Sequence, residues 1–303
     1  MGGRVDRRSG GAAGRGLPHT TAEPPKRRPA GRTRRARTVA AWALTALLAA
    51  TMLLPFLWMV STSLMSELEI YRFPPRLLPA AAQWDNYPGA LTARPFGRYF
   101  VNSFIFAVGV VLGQLTTAAT TGYAFAKLEF RGRDRLFMLF LSTMMVPAVV
   151  VLIPRFLLID HLGWVDSYAG LISTELVSVW GIFLMRQYFR TVPRELEDAG
   201  VIDGAGPWTV FWRISLPLAK PALATLGLFA FIEAWKNLLW PLIVTRSMEM
   251  RTVEVGIASF HGLFITNWPF QMAAAVTAVV PIVLLFLFTQ RYFVQGIQMT
   301  GFR

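Results

Sequence analysis

The chain has 303 residues, of which 54% are hydrophobic and only 16% are charged, and its mean hydropathy is +0.46. Soluble globular proteins contain about 45–50% apolar and about 25% charged residues, so this composition excludes an ordinary soluble domain. The net charge of +13 would suit a nucleic acid or an anionic membrane surface, whereas the absence of cysteine excludes disulfides and thiol catalysis.

The first 38 residues form a basic segment with little to bury. Eleven of the 30 Lys and Arg residues lie here, ahead of the first apolar run. Because so few apolar residues cannot offset the entropy of ordering, we predict a disordered cytoplasmic tail over residues 1–38. Basic residues gathered beside an apolar run are typical of an orientation signal in a membrane protein. We therefore predict a lipid bilayer as the partner and no nucleic acid.

Six apolar runs follow the tail. The first, residues 39–60, covers roughly 33 Å as a helix, enough to cross a hydrocarbon core of about 30 Å. It is also longer than the apolar core of a signal peptide, which has about 7–15 residues. By the same measure the sequence predicts five further spans: 102–126, 136–158, 168–188, 218–244 and 270–293.

The basic residues outside the spans set the orientation. Apart from the tail, they concentrate in the segments 127–135 and 186–220, which lie on the same side of the membrane as the tail. Since short cytoplasmic loops carry the excess of Lys and Arg, we predict that both termini are cytoplasmic. The predicted fold class is an all-α integral membrane protein, with one domain of six transmembrane helices over residues 39–303.

A polar interruption, about residues 190–217, separates the fourth and fifth predicted spans. Pro193 can open a short helix there, and Gly204 and Gly206 can end it before Pro207 opens the next. The first turns contain acids, which the helix dipole favours at that end: Glu195, Glu197 and Asp198. One face carries a small apolar ridge: Leu196, Ala199 and Ile202. Such a helix is suited to docking against another protein.

The same stretch resembles the cytoplasmic EAA loop of bacterial ABC importer permeases. That pattern is Glu-Ala-Ala, three residues, Gly, nine residues and Ile-x-Leu-Pro. Two departures are visible: Asp in place of Glu keeps the charge, and Gly in place of Ala should loosen the helix by roughly 1 kcal/mol. The resemblance assigns ATPase coupling to this loop, through its acids, Asp203 among them, and through the motif positions Ala199, Gly200, Gly204, Ile214, Leu216 and Pro217.

Further stretches resemble the carbohydrate-uptake subfamily, and within it the smaller, MalG-like subunit of maltose-type importers. They are residues 99–103, 122–130, 162–170, 183–189, 231–235 and 239–243. The resemblance implies a type I ABC importer permease fold in a bacterial plasma membrane. It also implies a second homologous permease, two cytoplasmic ATPase subunits and an external solute-binding protein as partners. The chain itself has no glycine-rich phosphate loop, so ATP would be bound by the partners and no cofactor is predicted here.

Ionisable residues inside the spans are functional candidates, because a charge in the bilayer is costly. Glu175 and Lys236 lie about 10 and 12 Å from the outer ends of their predicted spans, so they could form an ion pair. Glu233 offers Lys236 an alternative partner three residues away. Two interpretations remain open: these residues line a solute path with Trp235 and Asn237, or they form a structural pair.

The sequence thus predicts the solute-translocating subunit of a binding-protein-dependent importer, with a sugar or oligosaccharide as the favoured solute. Importers of a polyol, glycerol phosphate or a peptide remain alternatives. A membrane enzyme acting on lipid-linked sugars is a remote one, because it would need paired acids or histidines near an interface. The only close acid cluster belongs to the docking helix, and the three histidines match no metal-ligand spacing. No catalytic or metal-binding residue is predicted.

Overall fold

A computed structural model describes residues 30–262 and 266–300, and all regular structure in these ranges is helical. The predicted all-α fold is therefore confirmed. The longer helices are α1 (Ala30–Ser63), α4 (Phe96–Lys127), α5 (Arg133–Thr143), α6 (Leu152–His161), α8 (Val179–Thr191), α9 (Arg194–Ile202), α12 (Lys220–Trp235) and α15 (Trp268–Thr300). The shorter ones are α2 (Glu67–Ile70), α3 (Asn86–Ala93), α7 (Tyr168–Ile172), α10 (Pro207–Val210), α11 (Leu216–Leu218), α13 (Leu239–Val244) and α14 (Val253–Ala258).

Most of the predicted tail, residues 1–29, lies outside the described residues. Helix α1 begins at Ala30, so the last part of the predicted tail is helical. The chain divides into two compact units at Leu54, and the first contributes the basic start and the first apolar half of α1. The features below belong to the second unit, which begins at Pro55.

Three helical segments are long and apolar enough to cross a membrane without interruption: Arg37–Ser63, Phe96–Lys127 and Trp268–Gln290. Two further candidates are bent pairs of helices. One joins Tyr168–Glu175 to α8 with a bend of 45°, and the other joins Pro207–Leu218 to α12 with a bend of 75°. The described residues therefore contain between three and five candidate spans.

The third predicted span, residues 136–158, is not one continuous helix. Helix α5 ends at Thr143 and α6 begins at Leu152, with turns between them. Pro147 lies in this break, where it has no N–H to donate and disfavours helical backbone in the residue before it. The fifth predicted span, 218–244, is interrupted as well, because α12 ends at Trp235 before α13 begins. The count of six spans remains a prediction.

Helix α4 is the central element of the packing. It takes part in three buried clusters along its length, which include Phe96 at its start, Phe106 further along and Tyr123 near its end. Against it pack α8 and α12, and α15 packs on α12. Helices in a membrane associate through close packing of side chains rather than through the hydrophobic effect. The long helix α4, with α8 and α12 packed against it, therefore forms the centre of this unit.

The start of α4 holds the segment that follows α13. Asn102 is completely buried, and its amide nitrogen donates to the carbonyls of Glu249 and Arg251 at 2.7 and 2.8 Å. Its carbonyl oxygen accepts a hydrogen bond from the Tyr168 hydroxyl at 2.7 Å. Ser103 accepts the backbone N–H of Val253 at 2.8 Å. Asn102 and Ser103 in the 99–103 stretch therefore act as a structural clamp that holds the segment after α13 against α4.

A second clamp joins the loop before α7 to the same end of the molecule. Asp166 has a positive φ of 62°, and its Oδ1 accepts the backbone N–H groups of Arg246 and Ser247 at 2.8 and 3.0 Å. Burial alone would raise the pKa of this carboxyl, but the hydrogen bonds and the charge of Arg246 hold the pKa below its ordinary value. Asp166 is therefore held as a carboxylate that fixes the loop.

Candidate functional site

The short helix predicted in the polar loop is α9, residues Arg194–Ile202. Pro193 stands at its N-cap, and the chain leaves the helix through Gly204, whose φ is +83°. Nothing lies within 4 Å of the place where a Cβ would be on Gly204, so the turn needs glycine for its backbone and not for close packing. A side chain at this φ costs roughly 1–2 kcal/mol. Gly206 then caps α10, with Pro207 in its first turn.

The outer face of α9 is exposed and apolar. Leu196 and Ile202 are 46% and 85% exposed, and the neighbouring Trp208 is 68% exposed. Ala199 lies on the same exposed ridge, as do the three acids Glu195, Asp198 and Asp203. Clustered exposed apolar side chains beside charged ones are typical of a protein-binding surface. We call Leu196, Ala199, Ile202 and Trp208 the docking ridge.

The inner face of α9 is packed against the rest of the chain. Gly200 is buried, and a Cβ on it would lie 2.5 Å from the Cδ1 atom of Ile214. Gly200, which replaces the usual alanine, thus lowers the helix propensity of α9 but leaves room for the side chain of Ile214. Glu197 is buried too, so this acid of the predicted coupling loop does not lie beside the docking ridge. The other acids of the helix are exposed, as expected.

The end of the motif forms the bend into α12. Residues Phe211–Ser215 form a π-helical turn, and α11 with Pro217 follows before α12 begins at Lys220. Single π-turns are rare and occur often at functional sites. Ile214 and Leu216 are half-buried, whereas Pro217 is exposed. The motif therefore occupies both the exposed helix and the 75° bend that connects it to the fifth predicted span.

The ion pair considered for Glu175 and Lys236 is not formed in the described residues. Glu175 pairs with Arg155 of α6, whose Nη2 lies 2.5 Å from Oε1 of the carboxylate. Arg155 also donates through Nε to the Thr174 hydroxyl at 2.6 Å, and its guanidinium lies 3.7 Å above the Trp240 ring. Glu175 and Lys236 were expected at similar depths in their spans, which made the pair feasible. Their side chains nevertheless contact different neighbours.

The remaining solute-path candidates do not form one site either. Trp235 is buried and donates through its ring N–H to the Ala278 carbonyl, so it packs α12 on α15 and is not available to a solute. Asn237 accepts the backbone N–H of Trp240 in the first turn of α13. Glu233 is exposed, and residues 30–262 contain no ion pair between it and Lys236.

Lys236 does line a cavity. The cavity has a volume of about 410 Å³ and mostly apolar walls from α12, α14 and α15, with Phe56 of α1 at its edge. Glu254 is its other ionisable residue; burial raises the pKa of its carboxyl, and the charge of Lys236 partly opposes that shift. A mostly apolar cavity with a few polar groups is the usual form of a ligand site. Sequence reasoning missed Glu254, because it lies outside every predicted span.

Metal binding finds no support in the described part of the chain. Across residues 30–262 and 266–300, no three His, Asp or Glu side chains are placed to hold an ion. His261 instead bonds through Nδ1 with the Thr266 hydroxyl at 3.0 Å.

These features define an all-helical integral membrane protein in which a short helix with an exposed apolar face is joined to a bent candidate span. Comparison with known families agrees with this class. Residues 118–299 match the family of inner membrane components of binding-protein-dependent transport systems, and the chain belongs to this family.

Curated relatives cover most of the chain. The arabino-oligosaccharide transport permease of Halalkalibacterium halodurans is 33% identical over 274 residues, which are 88% of this chain and 98% of the relative. The sn-glycerol-3-phosphate transport permease of Yersinia pestis is 35% identical over 241 residues, which are 77% of this chain and 86% of the relative.

Solved structures share the fold. A chain of a bacterial ABC transporter that imports the acidic polysaccharide alginate superposes with a TM-score of 0.75 at 26% identity, over 86% of this chain and 98% of that one. A chain from an alginate transporter in complex with its pentasaccharide-bound periplasmic protein gives a TM-score of 0.61 at 15% identity. The predicted type I importer permease fold is confirmed.

Proposed function

We propose that this chain is the solute-translocating subunit of a bacterial ATP-driven importer for an oligosaccharide, and that α9 couples it to an ATPase. The observation that carries the coupling role is the two-faced α9. Its docking ridge is free, while its inner face is fixed to the spans, which is what a transmitting element requires. The partners are then two cytoplasmic ATPase subunits, a second permease and an external solute-binding protein. ATP is bound by the ATPase subunits, and this chain acts as a transport component of the inner membrane rather than as an enzyme.

The relatives favour a sugar as the solute. The arabino-oligosaccharide permease is similar over nearly its whole length, and the alginate transporter chain has the same fold at 26% identity. Glycerol phosphate is the second candidate, since a glycerol-3-phosphate permease is 35% identical. Lys236 in its cavity would supply a cation for such an anionic solute.

An uptake assay separates the two solutes. The chain would be expressed with the transport genes beside it in a host that lacks its own uptake systems, and given radiolabelled arabinotriose or sn-glycerol 3-phosphate. Saturable, ATP-dependent uptake of arabinotriose alone is the expected result. Uptake of glycerol phosphate alone would reject the sugar assignment.

Gly204→Asp tests the coupling role. We expect the variant to insert at the normal level but to lose uptake and ATPase stimulation by the binding protein. The reason is that the strained turn and the new charge displace the docking ridge. Uptake and hydrolysis by the purified complex in proteoliposomes provide the measurement.

The matched control is Gly206→Asp. It adds the same charge two residues further on, at an exposed N-cap where φ is −71° and aspartate is favoured. This variant should keep uptake close to normal. Normal uptake by a stably inserted Gly204→Asp chain would reject the coupling role of the loop.

Topology is a separate prediction. We propose six spans, with α5 and α6 together crossing the membrane as the third, and with both termini in the cytoplasm. A reporter enzyme fused after Leu78 or Arg251 should be active only outside the cytoplasm, and one fused after Arg131 or Gly204 only inside. A cytoplasmic signal from the Leu78 fusion would overturn the six-span arrangement.

A further inference from the structure

The inner face of α9 contains a buried ion pair that the sequence did not reveal. Lys127 is the last residue of α4, and its Nζ lies 3.3 Å from Oε2 of Glu197. Their side chains are only 5% and 12% exposed. A charge this well buried is rarely kept unless it is paired and hydrogen-bonded. The pair therefore joins the end of α4, the central helix of the packing, directly to the helix that carries the docking ridge.

Both charged groups are satisfied by further bonds. Lys127 also donates to the carbonyl of Val192, between α8 and α9, at 2.7 Å. The other oxygen of Glu197 accepts the Ser215 hydroxyl at 2.7 Å. Ser215 is the last residue of the π-helical turn and is completely buried. One carboxylate thus ties together α9, the end of α4 and the bend that leads into α12.

Stability alone does not account for this arrangement. Replacing a buried ion pair with well-packed apolar residues is often neutral or even stabilising, because two charges no longer have to be desolvated. Apolar packing, however, does not fix the relative orientation of the groups that it joins. Charge-assisted hydrogen bonds fix the orientation of the groups they join. The buried pair is thus suited to holding α9 at one angle to α4.

The chain contains a natural comparison between α9 and the segment that directly follows α4. Arg194, the first residue of α9, lies 3.8 Å from Glu129, two residues beyond Lys127. These side chains are 62% and 80% exposed. An exposed pair of this kind is screened by water and contributes little. Of these two pairs, the buried one is the better suited to transmit a force between α9 and α4.

We propose that Lys127, Glu197 and Ser215 are positioning residues that make α9 move as one body with α4 and the bend before α12. Displacement of the docking ridge by its partner then moves the spans instead of being absorbed in the loop. This inference rests on the proposed coupling function of α9. It adds the internal connection through which that coupling acts.

The test uses the complete transporter in proteoliposomes. The measured quantity is the stimulation of ATP hydrolysis by the transporter's own solute-binding protein, with MgATP as the substrate. In Lys127→Met and Glu197→Gln the stimulation should fall by about tenfold, within the range typical of coupling between distant sites. The ATPase subunits should still copurify in normal amounts, because the docking ridge is unchanged.

A double variant separates positioning from stability. In Lys127→Met/Glu197→Leu no buried charge is left unpaired, so thermal stability should return towards that of the wild type. Stimulation should stay low, because the directional bonds are gone. Recovery of normal stimulation together with stability would show a merely structural pair and would overturn the proposal. Lys127→Arg, which keeps the charge, should retain most of the stimulation.

Two further variants complete the design. Arg194→Met/Glu129→Gln removes the exposed pair between α9 and the segment after α4 and should leave stimulation unchanged. Ser215→Ala removes the hydrogen bond to Glu197, leaves the ion pair and should lower stimulation severalfold. If the double variant does not assemble, Ser215→Ala provides the test instead. Normal stimulation in Ser215→Ala would then overturn the proposal.

Measuring Gly204→Asp in parallel distinguishes the role of the buried pair from the coupling function of the loop. If Gly204→Asp abolishes stimulation while the apolar double variant does not, only the role of the buried pair is rejected. If Gly204→Asp also behaves normally, the coupling function of the loop is rejected as well.

Discussion

Replacing Arg155 with methionine is expected to destabilise the chain by about 3 kcal/mol, because Glu175 is then left as a poorly solvated carboxylate without its cation. The two side chains are only 21% and 25% exposed, so water screens the pair only in part. The substitution also removes the hydrogen bond to Thr174 and the contact with the face of Trp240. Titration of the purified chain from detergent into SDS micelles measures the free energy of unfolding.

The double variant gives the sharper result. Arg155→Met/Glu175→Gln should lose less stability than Arg155→Met alone, since an unpaired buried charge costs more than no charge. Strictly additive losses would show that the two residues are not coupled. Asp160→Asn is a suitable control, because it removes the exposed ion pair between Asp160, on the same helix as Arg155, and Arg246, at 3.7 Å. Its cost should stay within about 0.5 kcal/mol.

The same variants test whether Glu175 serves the solute path. If the pair is only structural, uptake by the double variant should follow its stability. Loss of uptake in a double variant of near-normal stability would instead assign Glu175 a direct role in solute contact. The structure favours the structural interpretation, because the carboxylate is already engaged by Arg155 and its backbone carbonyl accepts the amide of Gln114 at 2.9 Å.

The coupling loop was predictable from sequence because its signals are local. A proline that opens a helix, acids in its first turn and a glycine that leaves it all act within a few residues. The observed helix, Arg194–Ile202, and the positive φ of Gly204 follow from these signals. The burial of Glu197 could not be predicted this way. Its reason is Lys127, which is about seventy positions away along the chain.

The partners of the intramembrane charges, by contrast, could not be predicted from local signals. Hydropathy gives the depth of a residue in a span but not the direction in which its side chain points, which is set by helix packing. Glu175 and Lys236 therefore seemed a suitable pair by depth, whereas Arg155 in the third predicted span was the true partner. The break in that span has a local signal, Pro147, but membrane helices tolerate proline often enough that the signal does not decide.

Asn102→Asp is the second change for which we expect a large effect, a destabilisation of about 3 kcal/mol. The amide nitrogen of Asn102 donates to the carbonyls of Glu249 and Arg251, and the site is completely buried. Aspartate has no N–H to donate, so it would either place a carboxylate against two carbonyl oxygens or take up a proton and satisfy only one of them. The segment after α13 should then come loose from α4.

Tyr168→Phe is the matched control, because it removes only the third hydrogen bond of the same group, at 2.7 Å. Its cost should be about 1 kcal/mol. Limited proteolysis with trypsin gives a local measurement, since Arg251 lies in the clamped segment and is half-buried. Cleavage there should be much faster in Asn102→Asp than in Tyr168→Phe or the wild type. Equal cleavage rates would mean that packing of α14 on α4, and not the buried amide, holds this segment in place.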